Sequence, residues 1–200
     1  MQKSVKWMAA AFGAALAITA ITMALYGTDN KATRLALELT ARFSFVLFWL
    51  AYAGGAIATL FRIEALAGCG REFGVAFAAA HLVHVGLVIW LGVLMGKVPL
   101  SGGLLLFFLA GLFFTYLLAL LSFGGARALG PLWRPLRFIG MNYILIAFAR
   151  DFVLPVLYPK PNQYNVAHFV AYAPFAAASI LAPLLVLAVT LRQRARLKTD

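Results

Sequence analysis

The sequence predicts an all-α integral membrane protein, a single domain of residues 1–200 built as a bundle of six transmembrane helices. Hydrophobic residues make up 64% of the chain and charged residues 12%, whereas soluble domains are about 45–50% apolar and about 25% charged. The mean hydropathy is +0.93. Such a composition excludes a soluble globule and also disorder, which requires low hydrophobicity. The single Cys69 excludes an intramolecular disulfide framework and cysteine-based metal sites.

Six apolar runs are long enough to cross the hydrocarbon core, which takes a helix of about 20 residues. They cover residues 7–26, 43–61, 73–95, 102–123, 136–157 and 166–191. The runs lack apolar–polar alternation and are too long for barrel strands, so we predict helices. The connections between them are short and contain Gly, Pro, Asn and charged residues, as chain breaks do.

The first run has an alternative interpretation as a secretory signal peptide, because Lys3 and Lys6 precede it. It is longer than the roughly 7–15 residues of a signal-peptide core, and no clean A-x-A cleavage site follows it. A retained membrane span is therefore the favoured prediction.

The net charge of +11 is unevenly distributed between the two sides of the predicted bundle. One side carries both termini and eleven basic residues: Lys3, Lys6, Arg62, Arg71, Arg127, Arg134, Arg137, Arg192, Arg194, Arg196 and Lys198. The other side carries six: Lys31, Arg34, Arg42, Lys97, Arg150 and Lys160. Positive residues favour the cytoplasm, so we predict that both termini are cytoplasmic. The C-terminal basic cluster then faces anionic lipid headgroups, and we expect no nucleic-acid partner, because stacking aromatics do not accompany it.

Two histidines lie inside the third span, where an ionisable group is costly and points to function. His81 and His84 are three residues apart and should share one helical face. His84 lies roughly 15–20 Å from either end of the span. An imidazole there could ligate haem iron or relay a proton. Alternatively, it is a structural residue that hydrogen-bonds a neighbouring helix.

His168 opens the sixth span, and we expect it to be an interfacial residue in contact with water. Its depth in the membrane should differ from that of His84 by roughly 10 Å or more. Shared coordination of one haem iron by His84 and His168 is therefore not expected.

The fifth span carries Arg137 near its first end and Arg150-Asp151 near its last. We expect Arg137 to extend to lipid phosphate. Adjacent residues do not face each other on a helix, which leaves Arg42 as the candidate partner of Asp151.

Two segments carry a resemblance to a known family. The third span begins Arg71-x-x-Gly74 and places His84 ten residues after the glycine, and residues 129–136 read Leu-Gly-Pro-Leu-Trp-Arg-Pro-Leu. With the six spans, these features resemble the ferric reductase-like transmembrane domain, in particular the haem-binding membrane subunit of methionine sulfoxide reductase systems. The resemblance implies an integral protein of a bacterial inner (plasma) membrane.

The same resemblance implies a b-type haem that passes electrons across the membrane, with His84 as iron ligand and His81 as second-choice ligand. The electrons would come from a quinol or a cytoplasmic flavin donor and go to a redox partner protein on the outer side. The donor would be separate, because the chain has no fused flavin or NAD site.

The sequence departs from the family where the fifth span should supply two further histidines. Those positions hold Arg137 and Arg150, and arginine has no lone pair to offer iron. Haem with a single protein ligand, haem with another ligand and loss of haem all remain open. The alternative function is a haem-free structural, assembly or transporter-like protein of the same fold, so an oxidoreductase activity is only one of two predictions.

Overall fold

The computed structural model describes residues 2–159 and 165–197, which form six long helices and no strand. All six are long and apolar enough to cross a membrane, which confirms the predicted all-α six-helix fold. Lys160 and Lys198, two of the charges used for the predicted orientation, lie outside the described residues. The helices are α1 (Gln2–Tyr26), α2 (Asn30–Phe61), α3 (Gly70–Met95), α4 (Gly102–Leu120), α5 (Trp133–Leu157) and α6 (Val166–Arg196).

The helices extend beyond the apolar runs, most of all in α2, which begins at Asn30 and not near residue 43. Asp29 caps it, since its carboxylate accepts a hydrogen bond of 2.8 Å from the backbone N–H of Ala32. The predicted run of apolar residues does not include these first turns, because they contain polar residues. They carry basic residues that the sequence places in a loop, namely Lys31, Arg34 and Arg42.

The connection from α4 to α5 stays helical in a distorted form. A π-helical segment, Leu121–Gly125, continues α4, and a short α-helical turn and a 3-10 turn lead into α5. Gly124 has a φ of 141°, a conformation that L side chains rarely adopt. The predicted connection between the fourth and fifth spans thus begins with a change of helical winding at this segment.

Helices α1, α2 and α3 pack closely against one another. Helix α5 packs against α4 and α6, and α6 also contacts α2. In contrast, α3 and α4 touch only sparsely, although they are consecutive in the chain. Six spans bring both termini to one side of the membrane, together with the α2–α3 and α4–α5 connections; we call this the termini side.

An aromatic cluster joins α2, α5 and α6 at the centre of the bundle. Phe45 and Phe48 of α2 are each 1% exposed. The ring of Phe45 lies 5.2 Å from that of Phe148, 5.1 Å from that of Phe152 and 6.0 Å from that of Phe175. These edge-to-face contacts are the favoured arrangement of aromatic pairs, so the cluster holds the second half of the bundle against α2.

The indole of Trp49 joins α2 to α6 by donating a hydrogen bond of 2.8 Å from Nε1 to the carbonyl oxygen of Ala178. We expect Trp49→Phe to lower the free energy of unfolding by about 0.6 kcal/mol and by at most about 1.7 kcal/mol, the range of interhelical hydrogen bonds in membranes. The measurement is SDS-induced unfolding from detergent micelles followed by circular dichroism. Trp90→Phe on the outer face of α3, where Trp90 is 42% exposed, is the matched control and should change nothing.

Candidate functional site

The two intramembrane histidines lie side by side on α3, as their spacing predicts. Their rings are nearly parallel, with an angle of 15° and centroids 5.2 Å apart. Phenylalanine rings enclose His81, since Phe77 lies 5.4 Å and Phe148 6.3 Å from its ring. The pair therefore sits in an aromatic environment in which polar partners are few.

The ring of His84 is held by α2. Its Nδ1 lies 3.2 Å from Oγ1 of Thr40. The Thr40 hydroxyl donates its one proton to the carbonyl of Ala36, at 2.8 Å, so its oxygen can accept from His84. We assign the proton of neutral His84 to Nδ1 from this network, which leaves the lone pair of Nε2 free.

A polar seam runs between α2 and α3 at this level. The helices are antiparallel: Thr40 lies beside His84, and Gly74 lies beside Ala51. The same register places Ser44, one turn after Thr40, level with His81. Buried Oγ of Ser44 and buried Nδ1 of His81 both lack a hydrogen-bond partner. Such atoms are normally satisfied by a bound water or a ligand group.

The resemblance pairs His84 with histidines of the fifth span, whose positions hold Arg137 and Arg150, and His81 does not lie opposite His84 to take their place. Two imidazoles on opposite faces of one iron have their coordinating nitrogens about 4 Å apart, with a porphyrin plane between them. His81 and His84 are neighbours on one helix face, so their side chains project in nearly the same direction and do not approach one iron from opposite sides of that plane. The described residues also contain no group of three or more His, Cys, Asp or Glu side chains that could hold a metal ion.

His168 lies in the first turn of α6, away from the histidine pair. Its Nε2 is 3.1 Å from the carbonyl oxygen of Pro155, and its ring lies 4.7 Å from that of Tyr172. Its backbone N–H donates to the Asn165 side chain, which caps α6. These contacts engage Nε2 of His168 with Pro155 at the end of α5. The interfacial position of His168 stays a prediction.

Comparison with protein-family models, curated proteins and solved structures finds no match to this chain.

Arg150 and Arg137, the two arginines of α5 noted in the sequence, lie in separate surroundings. Arg150 stacks over the ring of Phe108 on α4, at 5.6 Å. It also pairs with Asp151, with 3.1 Å between Nη1 and Oδ1, so the expected Asp151–Arg42 pair is wrong. The long Arg150 side chain folds back to its neighbour, and Arg42 pairs with Glu38 at 3.3 Å instead.

Arg137 lies at the termini side of α5 and lines a cavity of about 270 Å³, which includes neither His81 nor His84 in its walls.

Sequence reasoning missed this cavity and also the roles of Thr40 and Ser44. The spacing of Thr40 and Ser44, four residues apart within the α2 helix, was the available signal, because it puts two hydroxyls on one face.

Proposed function

We propose that this integral membrane protein is an electron-transfer subunit that holds one b-type haem through His84 alone. The observation that supports this function is the fixed orientation of the His84 ring. Nδ1 is engaged by Thr40 of α2, and the lone pair of Nε2 is left available. Histidine ligands of metals almost always donate their other ring N–H in this way, which sets the tautomer and raises the basicity of the ligand.

The chain's own residues supply orientation and an aromatic surrounding. Thr40 holds the imidazole of His84, and the rings of Phe77 and Phe148 pack beside His81. A haem bound at His84 would supply a one-electron couple, whose potential depends on the axial ligand and burial. Electrons would come from a quinol or flavin donor and leave to a partner protein.

The test is an absorption spectrum of the detergent-purified protein, oxidised and dithionite-reduced, after expression with added haem precursor. We expect a Soret band that shifts on reduction and disappears in His84→Ala. His168→Ala is the matched control and should keep the band, because His168 lies at a helix end bonded to Pro155. A colourless wild-type protein with native helical content would overturn the proposal, as would a band that persists in His84→Ala.

A haem-free structural or assembly protein of the same fold is the second candidate. The aromatic packing around His81 favours it, together with the stacking of Arg150 over Phe108 on α4. In that case the histidines serve as interhelical hydrogen-bonding groups. His84→Ala would then cost stability only, about 0.6 kcal/mol, in a protein that is colourless from the start.

A further inference from the structure

The cavity of about 270 Å³ lies between the two halves of the bundle, where α3 and α4 separate. Its walls come from α2, α3, α4 and α5, and Arg71 and Arg137 both lie at the termini side of it. Each arginine is exposed and sits near the first turn of its own helix. The cavity thus opens toward the membrane surface between two guanidinium groups.

The positive charges of the two arginines at this opening have no ion-pair partner among the described residues. No acidic residue lines the cavity, and within the described ranges neither Arg71 nor Arg137 forms an ion pair. Arg71 is positioned by the ring of Phe123, with its guanidinium carbon 5.8 Å from the ring centroid. Phe123 belongs to the π-helical segment of α4, a kind of distortion that is frequent at functional sites.

Below the arginines the cavity is mostly apolar, and the hydroxyl of Thr115 in its wall already donates to a carbonyl oxygen of its own helix. The inner wall of the cavity includes Phe48, Phe77 and Ile144. Ile144 follows Arg137 by seven residues on α5, which corresponds to about 10 Å along the helix. A small free anion would use the guanidinium groups and leave this apolar depth empty. The shape fits a molecule with an anionic head and an apolar chain.

We propose that this cavity binds an anionic phospholipid, with the headgroup phosphate between Arg71 and Arg137 and the start of one acyl chain along Phe48, Phe77 and Ile144. Planar guanidinium groups recognise phosphate through paired hydrogen bonds. Basic pockets between transmembrane helices on the cytoplasmic side are known to bind such headgroups, and the termini side is the predicted cytoplasmic side. This site does not depend on the proposed haem.

Trp133 lines the cavity and provides a fluorescent reporter. We would use a protein in which Trp133 is the only tryptophan, reconstituted in phosphatidylcholine nanodiscs that contain brominated phosphatidylglycerol or, in parallel, brominated phosphatidylcholine. We expect the anionic lipid to quench Trp133 at a lower mole fraction than the neutral lipid. In the double variant Arg71→Gln/Arg137→Gln, the preference for the anionic over the neutral lipid should fall by about fivefold for each arginine replaced.

The matched control is Arg127→Gln/Arg134→Gln, which removes the same charge from two exposed arginines outside the cavity lining. It should retain the preference. The proposal is overturned if both lipids quench Trp133 equally in the single-tryptophan protein that keeps Arg71 and Arg137. This outcome needs no arginine variant. The proposal would also be overturned by an equal loss in both arginine variants, or by release of the quenching with excess inorganic phosphate, which would assign the site to a free anion.

Discussion

Replacing Phe45 by alanine is expected to lower the free energy of unfolding by about 3 kcal/mol. This value is the lower end of the range for Phe→Ala in water-soluble cores. We choose it because lipid and detergent tails solvate a phenylalanine almost as well as a protein core does. The loss then comes from the contacts of the Phe45 ring with Phe148, Phe152 and Phe175, which no other side chain replaces.

The measurement for Phe45→Ala is SDS-induced unfolding from detergent micelles followed by circular dichroism, with Phe138→Ala as the matched control. Phe138 is 69% exposed on the outer face of α5, so the same chemical change there should cost less than about 0.5 kcal/mol. Similar losses in the two variants would show that the aromatic cluster does not hold the bundle together.

Replacing Gly140 by leucine is expected to lower the free energy of unfolding by about 1–3 kcal/mol, the usual cost of overpacking. Gly140 is buried where α5 crosses α4. A Cβ atom at this position would lie 2.9 Å from Cδ1 of Leu118 and 3.0 Å from Cδ1 of Phe114. Small residues of this kind allow membrane helices to approach closely, so a leucine must displace the side chains of Leu118 and Phe114 or push α4 and α5 apart.

The control for this substitution is Gly13→Leu on α1, where a Cβ atom would meet nothing within 4 Å. That change should stabilise the helix by up to about 1 kcal/mol, because glycine is a poor helix former. Thermal denaturation of both variants in the same detergent gives the comparison. A Gly140→Leu protein as stable as the wild type would mean that the α4–α5 crossing can widen without cost.

The number of helices followed from the sequence, because six long apolar runs leave few alternatives. Their ends did not: α2 begins at Asn30, and its first turns are polar residues stabilised by the Asp29 cap. A search for apolar runs detects the part of a helix in contact with lipid and misses the part that extends beyond it.

The candidate site was predictable only in part. Spacing alone placed His81 and His84 on one face, and their near-parallel rings confirm this. Spacing on one helix does not reveal which neighbouring helix supplies a partner. Thr40 lies 44 positions from His84, and only the α2–α3 register brings the two together. The cavity beside Arg71 and Arg137 likewise depends on a gap between helices that no linear pattern encodes.

The sparse contact between α3 and α4 has a consequence for how the molecule is made. The first three helices contact mainly one another, so they can assemble in the membrane while the rest of the chain is still on the ribosome. Helix α6 contacts both α2 and α5, and it follows the other five helices in the chain. We therefore expect the two halves to remain loosely joined during biogenesis, until the C-terminal helix docks and completes the bundle.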